Sequence, residues 1–217
     1  MVINKINFPI YGIIILIALV CGVIYDYVFL KRNKIDKRNI FLFLILIIPF
    51  TFLGGFALSR IINGDSLSSH AAALSLLIAA IIYEKIDPRD GLYIKVSVLS
   101  FPLMYSISKI GCFLAGCCYG IPYNGIFSVT YTNGLNIPLF PVQLAETICF
   151  MILFIILNLI QKNKHIISIT LISCGILKTI LDYLRYSHIG HIITHNQILS
   201  LIVVIIVIIY EIKKELK

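Results

Sequence analysis

Residues 39–62, NIFLFLILIIPFTFLGGFALSRII, contain a single charged side chain, Arg60. About 20 apolar residues in a helix span the roughly 30 Å hydrocarbon core of a bilayer. Comparable runs recur at 141–160 and 192–212, and 59% of the chain is hydrophobic, against about 45–50% in soluble domains. The sequence therefore predicts an integral membrane protein.

The hydropathy pattern on either side of this run predicts an all-α fold with seven transmembrane helices. Their approximate bounds are 9–30, 39–62, 68–84, 92–114, 141–161, 166–186 and 193–212. Lys95, Pro102 and Lys109 interrupt the fourth run, so a re-entrant segment is the alternative there. We interpret the whole chain, 1–217, as one transmembrane helical domain in which the first apolar run is a retained helix.

Basic residues in the connections predict the orientation. Lys and Arg occur in 31–38, 85–91, 162–165 and after 212, whereas 63–67, 115–140 and 187–192 contain none. Because cytoplasmic connections are enriched in Lys and Arg, the N-terminus is predicted outside and the C-terminus inside. The connection at about 115–140 would then be an extracytoplasmic loop. The net charge of +8 is a topology signal, and no nucleic-acid partner is expected.

Polar side chains within the predicted spans indicate a functional layer, because charge inside a bilayer is costly. Asp26 and Lys95 lie near cytoplasmic ends and are expected to extend to the interface. The remaining polar residues lie in the outer third of five helices: Arg60, His70, Lys109, Gln143, Glu146, Lys178, Asp182 and Arg185.

Helical spacing predicts that these side chains converge. Lys178, Asp182 and Arg185 are spaced for one helical face, as are Gln143 and Glu146. Four cations against two carboxylates leave a surplus of about two positive charges, which suits a lipid phosphate. Interhelical ion pairs that hold the bundle together are the alternative.

Three of the six cysteines cluster at the outer end of the fourth span. Cys112, Cys117 and Cys118 lie near Lys109, and three interpretations remain open: packing, a disulfide or metal site, and a catalytic thiolate. The other three lie in apolar helical runs, where cysteine packs as a small hydrophobe. A zinc site that joins these cysteines to the histidines at 188, 191 and 195 is less favoured than interfacial histidines. No metal site is predicted.

Residues 108–120, SKIGCFLAGCCYG, resemble the signature segment of the prolipoprotein diacylglyceryl transferase family. Further segments resemble family motifs in the same order along the chain. They are 11–12 (YG), 55–60 (GFALSR), 69–72 (SHAA), 141–146 (PVQLAE), 178–185 (KTILDYLR) and 197–200 (QILS). The resemblance therefore covers nearly the whole chain.

This resemblance implies an enzyme of the bacterial cell membrane that moves a diacylglyceryl group from phosphatidylglycerol to a lipoprotein cysteine at the outer leaflet. It implies seven spans, an outside N-terminus and no cofactor. By position, it implies catalytic roles for His70, Lys109, Cys112, Cys117, Glu146 and Arg185. It also implies substrate binding by Tyr11, Arg60, Gly116, Gly120, Gln143, Lys178 and Asp182.

Several positions depart from the family pattern. Lys109 and Lys178 stand in place of arginines, Cys112 in place of an asparagine, and Cys117 in place of a glutamate. Lysine is a point charge without the bidentate fork of arginine, and the chain is short for the family. We therefore expect a divergent member whose acceptor is a thiol, an amine or a hydroxyl. A non-catalytic binder or transporter of anionic lipid is the alternative.

Overall fold

The computed structural model describes residues 2–3, 9–63, 69–132 and 135–216. Within them lie seven α-helices: α1 (Pro9–Arg32), α2 (Lys37–Asn63), α3 (Ser69–Ile86), α4 (Leu92–Ala115), α5 (Val142–Leu159), α6 (Ile166–Asp182) and α7 (His195–Glu215). Helices α1, α2, α4, α5 and α7 are long and apolar enough to cross a membrane. The helical membrane fold predicted from the sequence is therefore confirmed, whereas seven crossings and their direction stay predictions. The predicted connection at 63–67 falls almost wholly outside the described residues.

Helix α4 lies at the centre of the bundle and contacts α1, α3, α5 and α6. Apolar side chains of α4, such as Tyr93 and Leu99, pack with those of the neighbouring helices, such as Phe43 and Tyr83, in one large core. Helix α4 continues through Pro102, because neighbouring helices can satisfy the backbone groups that a proline frees. Among the described residues, the fourth apolar run is one continuous helix from Leu92 to Ala115 and not a re-entrant turn.

The connection between α4 and α5 is a packed structure. Val129, Tyr131 and Leu139 are buried with Phe113 in a second core. Thr130 and Tyr131 form strand β2, which pairs in parallel with the two-residue strand β1 (Val2–Ile3). This small sheet is the one addition to the all-α prediction within the described part of the chain.

The end of the sixth helix differs from the prediction. Helix α6 stops at Asp182, and Arg185 has extended backbone angles before a short 3-10 helix at Tyr186–His188. The backbone of this segment bonds instead to the loop after α4: Ile121 N donates to Leu184 O at 3.0 Å, and Tyr186 N to Tyr119 O at 2.9 Å. The prediction that Lys178, Asp182 and Arg185 share one helical face is therefore wrong for Arg185, which lies beyond the end of α6.

Asp26 is also placed differently from the prediction. It is 1% exposed and lies inside the bundle, where its carboxylate faces Ser100 of α4. Because α1 packs closely on α4, the side chain is enclosed and does not extend to an interface. Lys95 is half-buried, with its ammonium 5.8 Å from the centre of the Phe29 ring.

Candidate active site

Glu146 is the centre of a buried cluster of charges. It lies one turn into α5 and is completely enclosed. Its carboxylate oxygens lie 3.1 Å from Lys109 Nζ, 3.0 Å from Lys178 Nζ, and 2.8 and 3.0 Å from Arg185 Nη2. The three cations come from α4, α6 and the segment after α6, so the predicted convergence of these side chains is confirmed.

Asp182 is the second carboxylate of the cluster. One oxygen accepts a hydrogen bond from Lys178 Nζ at 3.0 Å and lies 3.2 Å from Arg185 Nε. The other oxygen accepts a hydrogen bond from the Thr194 hydroxyl at 2.6 Å. Arg185 Nε is within ion-pair distance of Asp182 but lacks the geometry of a hydrogen bond. Arg185 Nε therefore keeps one N–H donor unused, while Nη2 of the same guanidinium is held by Glu146.

The charges of the cluster do not cancel. Lys109, Lys178 and Arg185 give three positive charges against two negative charges from Glu146 and Asp182. The surplus is therefore one positive charge, not two. Arg60 accounts for the difference: it is exposed, and its guanidinium lies 4.5 Å from the Phe56 ring. Among the contacts of the described residues, none joins Arg60 to the cluster.

A cavity of about 350 Å³ extends from the cluster into the bundle. Lys178, Tyr105, His70 and Ser200 lie at its polar end, and leucine, isoleucine, valine and phenylalanine side chains line most of the rest. Its lining includes Leu74 of α3 and Ile206 of α7, which are also exposed on the outside of the bundle. The cavity therefore reaches the outer surface of the bundle between α3 and α7.

His70 and Ser200 join α3 to α7 beside this cavity. His70 Nε2 lies 3.0 Å from the Ser200 hydroxyl oxygen. The imidazole is within electrostatic range of Lys178, Asp182, Arg185 and Lys109. His70 is thus a polar side chain between the cluster of charges and the apolar cavity.

The three cysteines at the end of α4 and just after it lie together. The sulfurs of Cys112, Cys117 and Cys118 are all within 4.8 Å of one another, and no disulfide joins the six cysteines, all of which are described. Hydrogen bonds with the other two thiols, with help from Lys109 and Arg185, lower the pKa of the exposed Cys118 thiol. A thiol with a lowered pKa is more readily a thiolate, the form that attacks carbon and binds metals.

Three further predicted site residues, Gln143, Tyr11 and Gly116, lie next to the cysteines. Gln143 is buried and donates from Nε2 to the Cys117 carbonyl at 2.6 Å. Tyr11 is within electrostatic range of the three thiols and Lys109. Gly116 ends α4 at φ +60°, in the left-handed region that favours glycine.

Gly120 has a structural explanation. A Cβ atom there would collide with the carbonyl oxygen of Phe140. Gly120 also pairs with Arg185 in an antiparallel bridge. The absence of a side chain at Gly120 therefore lets the loop after α4 pack closely on Phe140 and pair with the backbone of Arg185.

Sequence reasoning missed three residues of the site. Tyr105 donates to Glu146 at 3.1 Å, and its ring centre lies 4.8 Å from Lys109 Nζ. Thr194 and Ser200 contact Asp182 and His70. Tyr105 is four residues before Lys109 and so on the same helical face, which is the signal that would have found it. Thr194, just before α7, and Ser200, within it, are neutral hydroxyls that hydropathy does not single out, although Ser200 lies in the QILS segment.

Together, the fold and the site define a helical membrane protein with a buried, net-positive cluster next to an apolar cavity of about 350 Å³. The family model for prolipoprotein diacylglyceryl transferase matches residues 1–212. The chain belongs to this family, and it is a transferase.

Individual relatives agree with this assignment. The phosphatidylglycerol–prolipoprotein diacylglyceryl transferase of Clostridium tetani is 28% identical over 221 residues, which cover 90% of this chain and 89% of that protein. A protein of the same name from Dehalococcoides mccartyi is 30% identical over 97 residues, or 44% of this chain and 37% of that protein. The sequence predicted a chain that is short for the family. Because 89% of the clostridial relative aligns with this chain, the difference in length from that protein is small.

Proposed function

We propose that this protein transfers a diacylglyceryl group from phosphatidylglycerol to an acceptor thiol at the outer leaflet, and that the cluster around Glu146 binds the phosphate. The observation that carries the proposal is the meeting of Lys109, Lys178 and Arg185 at one end of an apolar cavity. The names of the two relatives state both the donor lipid and the protein acceptor of those enzymes. A cavity that is cationic at one end and apolar along the rest matches the anionic headgroup and the apolar acyl chains of a phospholipid.

The cations would act on the leaving group. In the reaction, the acceptor sulfur attacks the glyceryl carbon, a carbon–sulfur bond forms, and the carbon–oxygen bond to the phosphate breaks. Glycerol phosphate then leaves with the electron pair and an added negative charge. Donors that are already in place where charge develops stabilise a transition state without reorganisation. Arg185 Nε, which has no hydrogen-bond acceptor among the described residues, offers one such donor to the phosphate.

The cavity would hold an acyl chain of the donor. Its opening between α3 and α7 gives lipid a lateral path from the bilayer, so the donor need not leave the membrane. His70 lies at the polar end of the cavity, next to the cluster, and is placed to orient the headgroup or to accept the thiol proton. Gln143 would hold the loop that carries Cys117 and Cys118, through its bond to the Cys117 carbonyl.

The proposal includes seven membrane crossings with the N-terminus outside, in the plasma membrane of a bacterium. Lys31 and Arg32 at the end of α1 and Lys213 and Lys214 at the end of α7 would then face the cytoplasm, as the positive-inside rule requires. A C-terminal reporter that folds only in the cytoplasm should be active in cells. A reporter that folds only outside should be active when placed after Asn124; the reverse pattern would contradict the orientation.

The experiment that tests the function uses purified full-length protein in vesicles of labelled phosphatidylglycerol. A peptide with one cysteine is the acceptor, and its serine counterpart is the control. Wild type should release glycerol phosphate and add a diacylglyceryl mass to the cysteine peptide alone. Lys109→Ala and His70→Ala should reduce release by at least about 100-fold, the usual effect of losing a transition-state donor, whereas Lys95→Ala, at the other end of α4, should not.

One observation favours a second function, the binding of anionic lipid without chemistry. Lys109 and Lys178 already have carboxylate partners at 3.0–3.1 Å, so bound phosphate has to compete with Glu146 and Asp182. If phosphatidylglycerol co-purifies in one-to-one amount but no acceptor, whether thiol, amine or hydroxyl, gives release, this second function replaces the first.

A further inference from the structure

The geometry of the three clustered cysteines favours one of the interpretations that the sequence left open, a metal site. Cys112 lies in the last turn of α4, and Cys117 and Cys118 follow Gly116. Both Gly116 and Cys118 have left-handed backbone angles, with φ of 60° and 56°. Few residues other than glycine adopt this conformation, and those that do are held there by their surroundings. These two turns fold the loop back so that its two sulfurs meet the sulfur of Cys112.

The backbone around these sulfurs is fixed by bonds to its neighbours. Cys117 N donates to Cys112 O at 3.1 Å, and Cys117 O accepts from the buried Gln143 at 2.6 Å. The three sulfurs are consequently positioned by the fold and not by chance contacts of loose side chains.

The spacing of the sulfurs suits a metal ion. Zinc binds thiolates at about 2.3 Å in tetrahedral geometry, which places the sulfurs roughly 3.8 Å apart. The three sulfurs here are separated by no more than 4.8 Å, so a contraction of at most about 1 Å would complete the site. Thiolate ligands select zinc, monovalent copper and similar soft ions.

The charge of such a site complements that of its surroundings. A divalent ion with three thiolates carries one negative charge, and the neighbouring cluster of Lys109, Lys178, Arg185, Glu146 and Asp182 carries one positive charge. Cys118 is within electrostatic range of Lys109 and Arg185. Opposite charges that balance in a region of low dielectric avoid the cost of an uncompensated buried charge.

We propose that Cys112, Cys117 and Cys118 bind one soft divalent metal ion such as zinc, with a fourth position open to the thiol of the acceptor. Three protein ligands and one open position are the arrangement of metal sites that act on a substrate. Cys118 is exposed, so the open position faces the loop surface that a peptide can reach.

The role of the acceptor in this site rests on the proposed function. When the acceptor thiol binds the metal, it releases its proton to water at the outer surface. Its sulfur, now a thiolate, attacks the glyceryl carbon next to the phosphate, and the product is a thioether plus glycerol phosphate. The metal neither gains nor loses electrons in this step.

Metal binding is tested on the reduced full-length protein in detergent with Co²⁺ as the probe. Wild type should bind one Co²⁺ per chain, with thiolate-to-metal absorption in the near ultraviolet. Cys112→Ser and Cys118→Ser should each weaken binding by at least about 100-fold, since even an outer-shell change costs up to that much. Cys149→Ser, a change in α5 away from the cluster, should bind as wild type does.

Two results would overturn the site. One is the absence of thiolate-to-metal absorption in the wild type. The other is a protein isolated without reducing agent that has lost two hydrogen masses and two titratable thiols among these cysteines, which would make the cluster a disulfide.

The role of the fourth position needs its own measurement. A peptide with one cysteine should change the visible Co²⁺ spectrum, whereas its serine counterpart should not; an unchanged spectrum would overturn this role. If Cys118→Ser still transferred diacylglyceryl to the peptide at the wild-type rate, the acceptor role would fail while the proposed function stood. If the wild type bound one Co²⁺ but no variant or wild type released glycerol phosphate, the function would fail while the metal site stood.

Discussion

At the scale of single residues, Glu146 decides how the site holds together. Three cations and the Tyr105 hydroxyl contact its carboxylate in an enclosed position. Removing one partner of a buried ion pair leaves the other charges uncompensated, at a typical cost of about 3–5 kcal/mol. The carboxylate therefore both positions the cations and limits their mutual repulsion.

Glu146→Gln should lower the thermal unfolding temperature of the purified protein and abolish transfer. The amide is neutral and places two N–H donors among three cations. Glu211→Gln is the matched control, because Glu211 is only partly enclosed by Ser168 and His165 and lies in the last turn of α7. A Glu146→Gln protein with wild-type stability and activity would show that the cluster does not need this charge.

Gly120→Ala should prevent the loop after α4 from packing, since the new methyl group would collide with the Phe140 carbonyl. Because Gly120 pairs with Arg185, the change should also displace that guanidinium and reduce transfer. Gly12→Ala is the matched control, because a Cβ there has no neighbour within 4 Å among the described residues. Limited proteolysis of the loop and the transfer assay measure both effects; equal behaviour of the two variants would contradict the structural role of Gly120.

At the scale of elements, the sequence predicted the helices well and their ends less well. Apolar runs of 18 residues or more determine α1, α2, α4, α5 and α7 by composition alone. The end of α6 depends on something that is not local. Leu184 and Tyr186 bond to Ile121 and Tyr119, about 60 residues earlier in the chain, and no periodicity within 166–186 reports that pairing.

Thr194 links the start of α7 to the site. Its hydroxyl accepts from Gln197 N at 3.3 Å in a capping box and donates to Asp182 at 2.6 Å. Thr194→Ala should therefore destabilise the protein by about 1 kcal/mol from the lost cap, and further because Asp182 loses a donor. Thr194→Ser keeps the hydroxyl and should retain stability and activity. Thermal unfolding of both variants distinguishes the hydroxyl from the methyl group, and an equally destabilised serine variant would contradict this role.

Asp87 joins α2, α3 and α4 at the end of the bundle opposite to the site. Slight desolvation alone would raise its pKa, but hydrogen bonds from Tyr93, Arg89 and Asn39 together lower the pKa of this carboxyl below its ordinary value. A lowered folded-state pKa adds stability that is complete above the unfolded-state pKa and is lost as the pH falls through the folded-state pKa.

Asp87→Asn should therefore lower the unfolding temperature at pH 7, and the difference from wild type should shrink as the pH falls below the ordinary carboxyl pKa of about 4. Unfolding is followed in detergent between pH 7 and pH 3. Asp36→Asn, an exposed change at the same end, is the control and should show no such trend. A difference that grew as the pH fell would contradict the lowered pKa.

At the scale of the whole molecule, the sequence identified the charged residues of the site but not their partners. Rarity of charge in apolar runs indicated Lys109, Glu146, Lys178, Asp182 and Arg185, and all five meet. Arg60 fits the same pattern yet does not join the cluster. Sequence spacing gives the depth of a side chain along its helix but not the rotation of that helix in the bundle.

The cavity is also a property of the whole molecule, since α3, α4, α5, α6 and α7 all line it. Val203→Phe should narrow it, because Val203 lines the cavity and a phenyl ring occupies several methyl volumes more. We expect a KM for long-chain phosphatidylglycerol at least about 10-fold higher, a loss of some 1.4 kcal/mol of binding, with little change for a short-chain analogue. Ile205→Phe adds the same ring on the exposed outer face of α7 and should leave both constants unchanged. A Val203→Phe enzyme that used both donors as wild type does would mean that the acyl chains bind elsewhere, and the lateral opening between α3 and α7 would lose its role.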